Sequence, residues 1–339
     1  MLVTASYLKY RKEPAFAFSR LRVVALVAVF ACLVNSVVLG AVKLDTLGAF
    51  LISRGYGGAQ MIDSIDSYHL PILSNGKRGN LIVDTGAPAT LIFRASLVRL
   101  GLAETKTESP VSGLFGESRE SYGVTTVSAL TAGNVTFTNI PVAVASHAGN
   151  PNTYGRPDGL LGLGEMVKFG AILDLSNRML YLRSRRPGSD LSASLRSILQ
   201  SRGWKPVELS LGRGGHLRVM AKANNVSCHL LVDTGSSVTS FDRDFANAAK
   251  IASVQSDITA HGLGRSSGRV SFTTLPSLWL GEYQGNRLKV SVVSMSSEML
   301  GRGTNSEVVG LVGTDYLYAN SAIFDFISAT LYLRPRPKR

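Results

Sequence analysis

Two Asp-Thr-Gly tripeptides stand 149 residues apart, at Asp84-Thr85-Gly86 and Asp233-Thr234-Gly235. Each follows an apolar lead-in, "NLIV" before the first and "HLLV" before the second, that reads as a buried strand. A carboxylate delivered by such a strand enters apolar surroundings, where an unpaired charge is costly and the group tends to hold its proton. A carboxyl shifted in this way is suited to proton transfer near a scissile bond. The repetition asks whether the two carboxyls are partners.

The elements that carry them are written twice. "NLIVDTGAPATLIFR" at 80–94 matches "HLLVDTGSSVTSFDR" at 229–243, and "DGLLGLGEMVKFGAILDLSNRMLYLRS" at 158–184 matches "VGLVGTDYLYANSAIFDFISATLYLRP" at 309–335. Offsets between 147 and 151 over four blocks mean internal duplication, covering about 44–184 and 191–335. Twenty-nine residues after each Asp comes a glycine loop, Gly113-Leu114-Phe115-Gly116 and Gly262-Leu263-Gly264. An apolar-apolar-Gly turn ending at Gly162 or Gly313 follows, 78 or 80 residues after the Asp. Alternating runs such as "VTTVSAL" and "VTFTNIPVAVA" predict short strands, so each half is mainly β. Short helices are expected at "SLVRLGL", at "DFANAAKIA" and at the opening of each repeat. The second opening helix carries Leu191, Leu195, Ile198 and Leu199 on one face and stops at Gly203, with Ser189 as its candidate N-cap.

With these motifs in place, the chain resembles aspartic proteases of the retropepsin and pepsin type, with two retropepsin-like domains fused in one chain over about 44–335. The resemblance implies an all-β fold: a bilobal pepsin-like pseudodimer of two retropepsin-like β-barrel domains with short helices. It implies that Asp84 and Asp233 face each other, share one proton, and activate a water that hydrolyses a peptide bond without metal or other cofactor. Thr85 and Thr234 resemble the family's threonines that lock the two loops together. Gly86, Gly235 and Ser236 would support the active-site loops, and Gly162 and Gly313 would let a neighbouring strand pass close beneath. Gly113, Leu114, Phe115, Gly116, Gly262, Leu263 and Gly264 match flaps that close over an extended peptide.

The copies differ after the tripeptide, where Ala87-Pro88 stands in one and Ser236 in the other. A Ser236 hydroxyl donating to the adjacent carboxylate would favour its ionised form, making Asp233 the ionised partner and Asp84 the proton carrier. No single equivalent of the pepsin flap tyrosine is evident, although Phe115 and Tyr122 lie near the first flap. His261 beside the second flap reads as a solvated loop residue. "LGRGGH" at 211–216 reads as a glycine turn without the Lys-Ser/Thr of a phosphate loop, and Cys228 as a strand core residue.

Composition bounds the remaining readings. Apolar residues make up 45% of the 339 and charged residues 17%, which suits a large folded core. The net charge of +13 is concentrated at the ends, with +4 in residues 1–22 and +4 in the last six, leaving +5 elsewhere. With no dense Lys/Arg stripe interleaved with aromatics, nucleic acid is excluded as the expected partner. The apolar run Val23–Val42 after the basic segment predicts a transmembrane anchor, with a signal peptide cleaved after small residues near Val38 and Gly40, or a lipoprotein cut before Cys32, as the rivals. All three place the remainder outside the cytoplasm, periplasmic in a Gram-negative cell, and two cysteines offer no disulfide framework. The domain plan is a basic cytoplasmic N-terminus (1–22), an anchor or signal (23–42), a first lobe (44–184), a linker with a short helix (185–205), a second lobe (206–335) and a basic tail (336–339). The expected partners are a polypeptide substrate and, through the N-terminal segment, a membrane; the two lobes make a monomer complete. The expected function is an endopeptidase acting on exported or membrane-proximal polypeptides. A non-catalytic peptide-binding scaffold, or a protease restricted to itself or one regulatory partner, is the alternative.

Overall fold

The computed structural model describes residues 46–63, 67–106, 111–113, 116–118, 123–145, 157–183, 190–261, 267–305 and 307–336. The chain divides into residues 1–49 and 50–339; of the first unit only the start of the helix Thr46–Ser53 is described, and the account below concerns the second. The expected anchor or signal at 23–42 lies outside the described residues, among which no helix is long and apolar enough to cross a membrane.

Mostly β structure repeats in two halves, and the same strand arrangement delivers each Asp. In the first, Lys77–Asp84 lies parallel to Gly159–Gly162, with Gly162 opposite Asp84, and Gly159–Gly162 is antiparallel to Leu91–Phe93. In the second, Val226–Val232 lies parallel to Gly310–Val312, which is antiparallel to Ser240–Asp242. In both, the late apolar-apolar-Gly strand slots between the strand before the Asp and the strand after it. The intervening loop must therefore cross over that strand's end. Next to each Asp the chain is apolar on both faces, as a strand flanked by neighbours requires; Leu81, Val83, Leu230 and Val232 are fully buried.

The first half closes into a six-stranded barrel when Tyr68–Ser74 pairs with Gly123–Ala132. The second closes less continuously. Ser267–Leu275 ends before Pro276, which has no N–H to give a ladder, and the chain resumes as Leu278–Leu280 to pair with Leu217–Ala223. Burial alternates over the first part of Gly123–Ala132, with Thr125 and Val127 inward and Thr126 and Ser128 outward, and changes phase before Leu130 and Ala132, which are also buried.

One sheet belongs to both halves. Gly57–Gln60, Met179–Leu182 and Ile172–Asp174 from the first half join Ile323–Asp325, Thr330–Leu333 and Lys205–Leu211 from the second. The seam is the antiparallel pair Ile172–Asp174 with Ile323–Asp325, Leu173 opposite Phe324. Leu173, Leu180, Phe324, Leu331 and Tyr332 are fully buried here.

Helices follow local signals. Asp190–Gln200 buries Leu191, Leu195 and Leu199, spaced four apart on one face. It ends before Gly203, which has φ +84°, and the expected cap Ser189 lies outside the described residues. "SLVRLGL" holds the short helix Leu97–Leu100, stopped by left-handed Gly101, and "DFANAAKIA" holds Arg243–Ala248, capped by the Asp242 carboxylate accepting from the Asp244 amide. Two of the helices not anticipated from sequence, Leu163–Lys168 and Thr314–Ala319, start directly after the apolar-apolar-Gly strands; Ser297–Leu300 was not anticipated either.

Candidate active site

Asp84 ends its strand and is 7% exposed; Asp233 lies just beyond Val226–Val232 and is half-buried. In each loop the carboxylate accepts its own loop's amides: Gly86 N–H (2.8 Å) and Ala87 N–H (3.0 Å) donate to Asp84 Oδ1, and Gly235 N–H (2.8 Å) donates to Asp233 Oδ1. The loops come together so closely that a Cβ on Gly86 would lie 2.5 Å from Asp233 Oδ1, and one on Gly235 would lie 2.5 Å from Asp84 Cγ. Each carboxyl thus sits over the opposite loop's glycine, and the two carboxyls hydrogen-bond to each other.

The threonines tie this geometry down. Thr85 N–H donates to Thr234 Oγ1 (3.0 Å) and Thr234 N–H to Thr85 Oγ1 (3.0 Å). Their hydroxyls donate onward to the carbonyls of Val232 and Val83, both at 2.7 Å. Equal distances in both directions make the junction twofold, and both side chains are fully buried. Thr85→Val keeps the shape but leaves the Val232 carbonyl and the Thr234 amide without partners in a dry interior. It is expected to cost roughly 2–5 kcal/mol, lowering the melting temperature by roughly 5–10 °C, whereas Thr85→Ser should retain most of the stability. Thermal melts of the two variants check this.

Electrostatics separate the two carboxyls. Burial pushes the Asp84 pKa well above the usual carboxylate range, and the nearby Asp233 charge adds to it, against the opposing amides of Ala87 and Gly86. Burial also raises Asp233, but the Gly235 amide, the hydrogen bond from Asp84, the Ser236 amide and His216 pull it back. Both groups are raised, so the pair resists full ionisation and titrates as one unit. The Ser236 hydroxyl does not supply the expected asymmetry: it donates to the Val238 carbonyl (3.0 Å), away from the carboxylate. Only the residue's backbone amide acts on Asp233, as Ala87's does on Asp84. Ser236→Ala is accordingly expected to leave the acidic limb of the pH–rate profile within about 0.2 pH unit of wild type, because it removes no bond to the carboxylate.

Beneath the dyad, each loop rests on a chain of contacts that the sequence reading missed. Thr90 N–H donates to Glu165 Oε2 (3.0 Å), as does the Thr90 hydroxyl, whose oxygen accepts from Gly162 N–H (3.0 Å). In the other half the Thr239 amide (3.0 Å) and hydroxyl (2.6 Å) donate to Asp315 Oδ1, and Gly313 N–H donates to Thr239 Oγ1 (3.1 Å). Glu165 and Asp315 lie in the first turns of the unanticipated helices Leu163–Lys168 and Thr314–Ala319. Their signal was in the sequence: a threonine six residues after each Asp, and an acid two or three residues after each Gly162/Gly313 landmark. Gly162 and Gly313 themselves lie against the crossing loops, at Ala89 and Val238.

A second missed residue is His216. It follows the turn Arg213–Gly215 of the second half, and its Nδ1 lies 2.9 Å from the Gly86 carbonyl. Of the expected flaps, Gly113 and Gly116 close the hairpin Val111–Gly113/Gly116–Ser118, which lies against the helix Ser297–Leu300 of the other half. Leu114, Phe115, Tyr122, Gly262, Leu263 and Gly264 lie outside the described residues, and His261 ends the strand Val254–His261. Cys228 is buried in a strand, its thiol pushed up to about 12 by burial. Among the described residues no cluster of three His, Cys, Asp or Glu side chains is placed to hold a metal ion.

Comparison with known proteins agrees with this arrangement. No curated protein matches the chain. The family described as aspartyl protease matches it twice, over residues 70–164 and again over 219–316. The two matched segments cover more than half the chain and each contains one Asp-Thr-Gly loop and its supporting helix start. The chain belongs to the aspartyl protease family, as two fused retropepsin-like domains, and is at that level a protease.

Proposed function

We propose that the chain is an endopeptidase that hydrolyses peptide bonds through a water activated between Asp84 and Asp233. The observation that carries this reading is that the two carboxyls meet across reciprocally locked loops, each over the other loop's glycine. Asp233, ionised, accepts a proton from the water as its oxygen attacks the substrate carbonyl carbon. Asp84 donates its hydrogen bond and then its proton to the carbonyl oxygen, giving a tetrahedral diol. Collapse of the diol re-forms the carbonyl, returns a proton to Asp84, and passes another from Asp233 to the departing nitrogen. The loop amides hold each carboxylate in place, so the geometry exists before substrate arrives. One proton is needed on the pair, so activity falls when both carboxyls are protonated and again when both are ionised.

The hairpin carrying Gly113 and Gly116 supports an extended polypeptide as substrate, since it reaches the helix Ser297–Leu300 of the other half as a strand pair beside which a peptide could lie extended. The basic segment and the apolar run at 23–42 support an extracytoplasmic, membrane-attached enzyme acting on exported or membrane-proximal chains. The test is proteolysis of a denatured protein by the full chain across a pH series, with Asp84→Asn and Asp233→Asn beside wild type. Cleavage lost in both variants supports the dyad. Cleavage surviving in either removes it, and absence of cleavage by wild type favours a peptide-binding scaffold.

A further inference from the structure

We propose that His216 is a positioning residue of the second half that anchors the first half's catalytic loop and biases the shared proton toward Asp84. The inference rests on the dyad reading above. Its starting point is a contact across the lobes. His216 Nδ1 lies 2.9 Å from the Gly86 carbonyl, and the N–H of that same peptide, on Ala87, donates to Asp84 Oδ1 (3.0 Å). The preceding Gly215 sits over Pro88 of the same loop, where a Cβ would be 3.7 Å from Pro88 Cβ. A single turn of the second half therefore rests on the first half's loop both beside and beyond Asp84.

The chemistry of the contact fixes the ring's state. A carbonyl oxygen only accepts, so Nδ1 must carry the hydrogen and donate it. The other ring nitrogen, Nε2, takes no part in this bond, so the anchor is the same for a neutral ring and for an imidazolium. The imidazolium favours the ionised form of Asp233. The charged groups around it are few. Asp233 and Asp84 come from the two facing loops. Arg218, two residues along the strand Leu217–Ala223, sends its guanidinium to the Ser210 hydroxyl and the Asn305 carbonyl.

The anchor works in one direction only. The strand registers place Ser67 at the position in the first half that His216 holds in the second. Ser67 bonds to His69 Nε2 (2.8 Å) within its own half and has no counterpart of the imidazole. Two halves that are alike in the loops, threonines and supporting acids thus differ here.

The test separates charge from anchor. The amide nitrogen of Asn reaches the place of imidazole Nδ1, so His216→Asn keeps a donor for the Gly86 carbonyl and discards the ionisable ring. His216→Ala discards both. Profiles of kcat/KM against pH are measured on the full chain, with melting temperatures for each variant and with Asp84→Asn and Asp233→Asn as controls. Without the imidazolium the pair ionises less readily, so the acidic limb of His216→Asn should move up by roughly 0.5–1 pH unit while its plateau stays within about 3-fold of wild type. His216→Ala should show the same displacement and a plateau lower by roughly 10-fold, since a loosened loop misplaces Asp84. If His216→Ala does not fold, the displacement in His216→Asn decides the matter alone. A His216→Asn limb that coincides with wild type, while both Asp variants are inactive, overturns this inference and leaves the dyad standing. Activity that survives in an Asp variant overturns the dyad and this inference with it.

Discussion

Asparagine in place of Asp84 or Asp233 is expected to lower kcat/KM by roughly 10⁴-fold, and the double variant should be no worse than either single one. The reason is in the shared proton. In the proposed mechanism one carboxyl supplies it and the other receives one, so either amide leaves a half-pair that cannot complete the cycle. Effects that fail to multiply are the signature of groups acting as one unit, and a double-variant cycle on kcat/KM reads it directly. The same substitution has an opposite effect on stability. A carboxyl whose folded pKa lies above its unfolded value stabilises the fold at pH below the unfolded value, and that contribution is lost as pH rises through the folded pKa. At neutral pH Asp84 is thus a burden, and Asp84→Asn should melt higher than wild type there, by about 2 °C for each kcal/mol relieved. The gap between the two should narrow as pH falls toward 4. Melting curves from pH 4 to 8 check the sign, and a variant that melts lower at pH 7 contradicts the assigned shift.

The largest effect on folding is expected at the two glycines beneath the loops. A Cβ on Gly313 would lie 2.6 Å from the Val238 carbonyl carbon, and one on Gly162 would be closer still to Ala89. Both obstacles are backbone, and both belong to loops pinned on either side. The Gly162 and Gly313 amides hold the Thr90 and Thr239 hydroxyls, and the next residues, Leu163 and Thr314, donate their amides to the Ala87 and Ser236 carbonyls (both 2.8 Å). Neither side can yield without breaking that set, so overpacking strain adds to lost buried hydrogen bonds. Gly162→Ala and Gly313→Ala should each cost roughly 4 kcal/mol or more. Expressed chains should be insoluble or should unfold in far less denaturant. Urea titrations measure this, and a loss under about 1 kcal/mol would show that the loops shift freely.

Much of this organisation was legible in one chain because it is written twice. A single Asp-Thr-Gly is three common residues, whereas matched spacing to a glycine loop and to an apolar-apolar-Gly strand restricts the reading to one arrangement. Duplication exposed the loops, their threonines and the close-packed glycines. What it hid were the ways in which the two copies meet or differ. The strands Ile172–Asp174 and Ile323–Asp325 look like ordinary members of their own halves, yet each pairs with the other across the molecule. Glu165 and Asp315 are chemically similar but of unequal length, and their partners Thr90 and Thr239 lie 75 and 76 residues away, beyond any local pattern. Ser236 was read from its type as a carboxylate donor, but rotation about one bond aims its hydroxyl at the Val238 carbonyl instead. His216 sits in a glycine turn that carries no motif, and only the docking of the halves gives it a partner.

The shared sheet has a consequence for when such an enzyme can first act. During synthesis the first half emerges with the edge of Ile172–Asp174 bare, and it waits for Ile323–Asp325, made some 150 residues later. Until then neither carboxyl has its counterpart from the same chain, so a nascent or truncated chain carries only one member of the proposed pair.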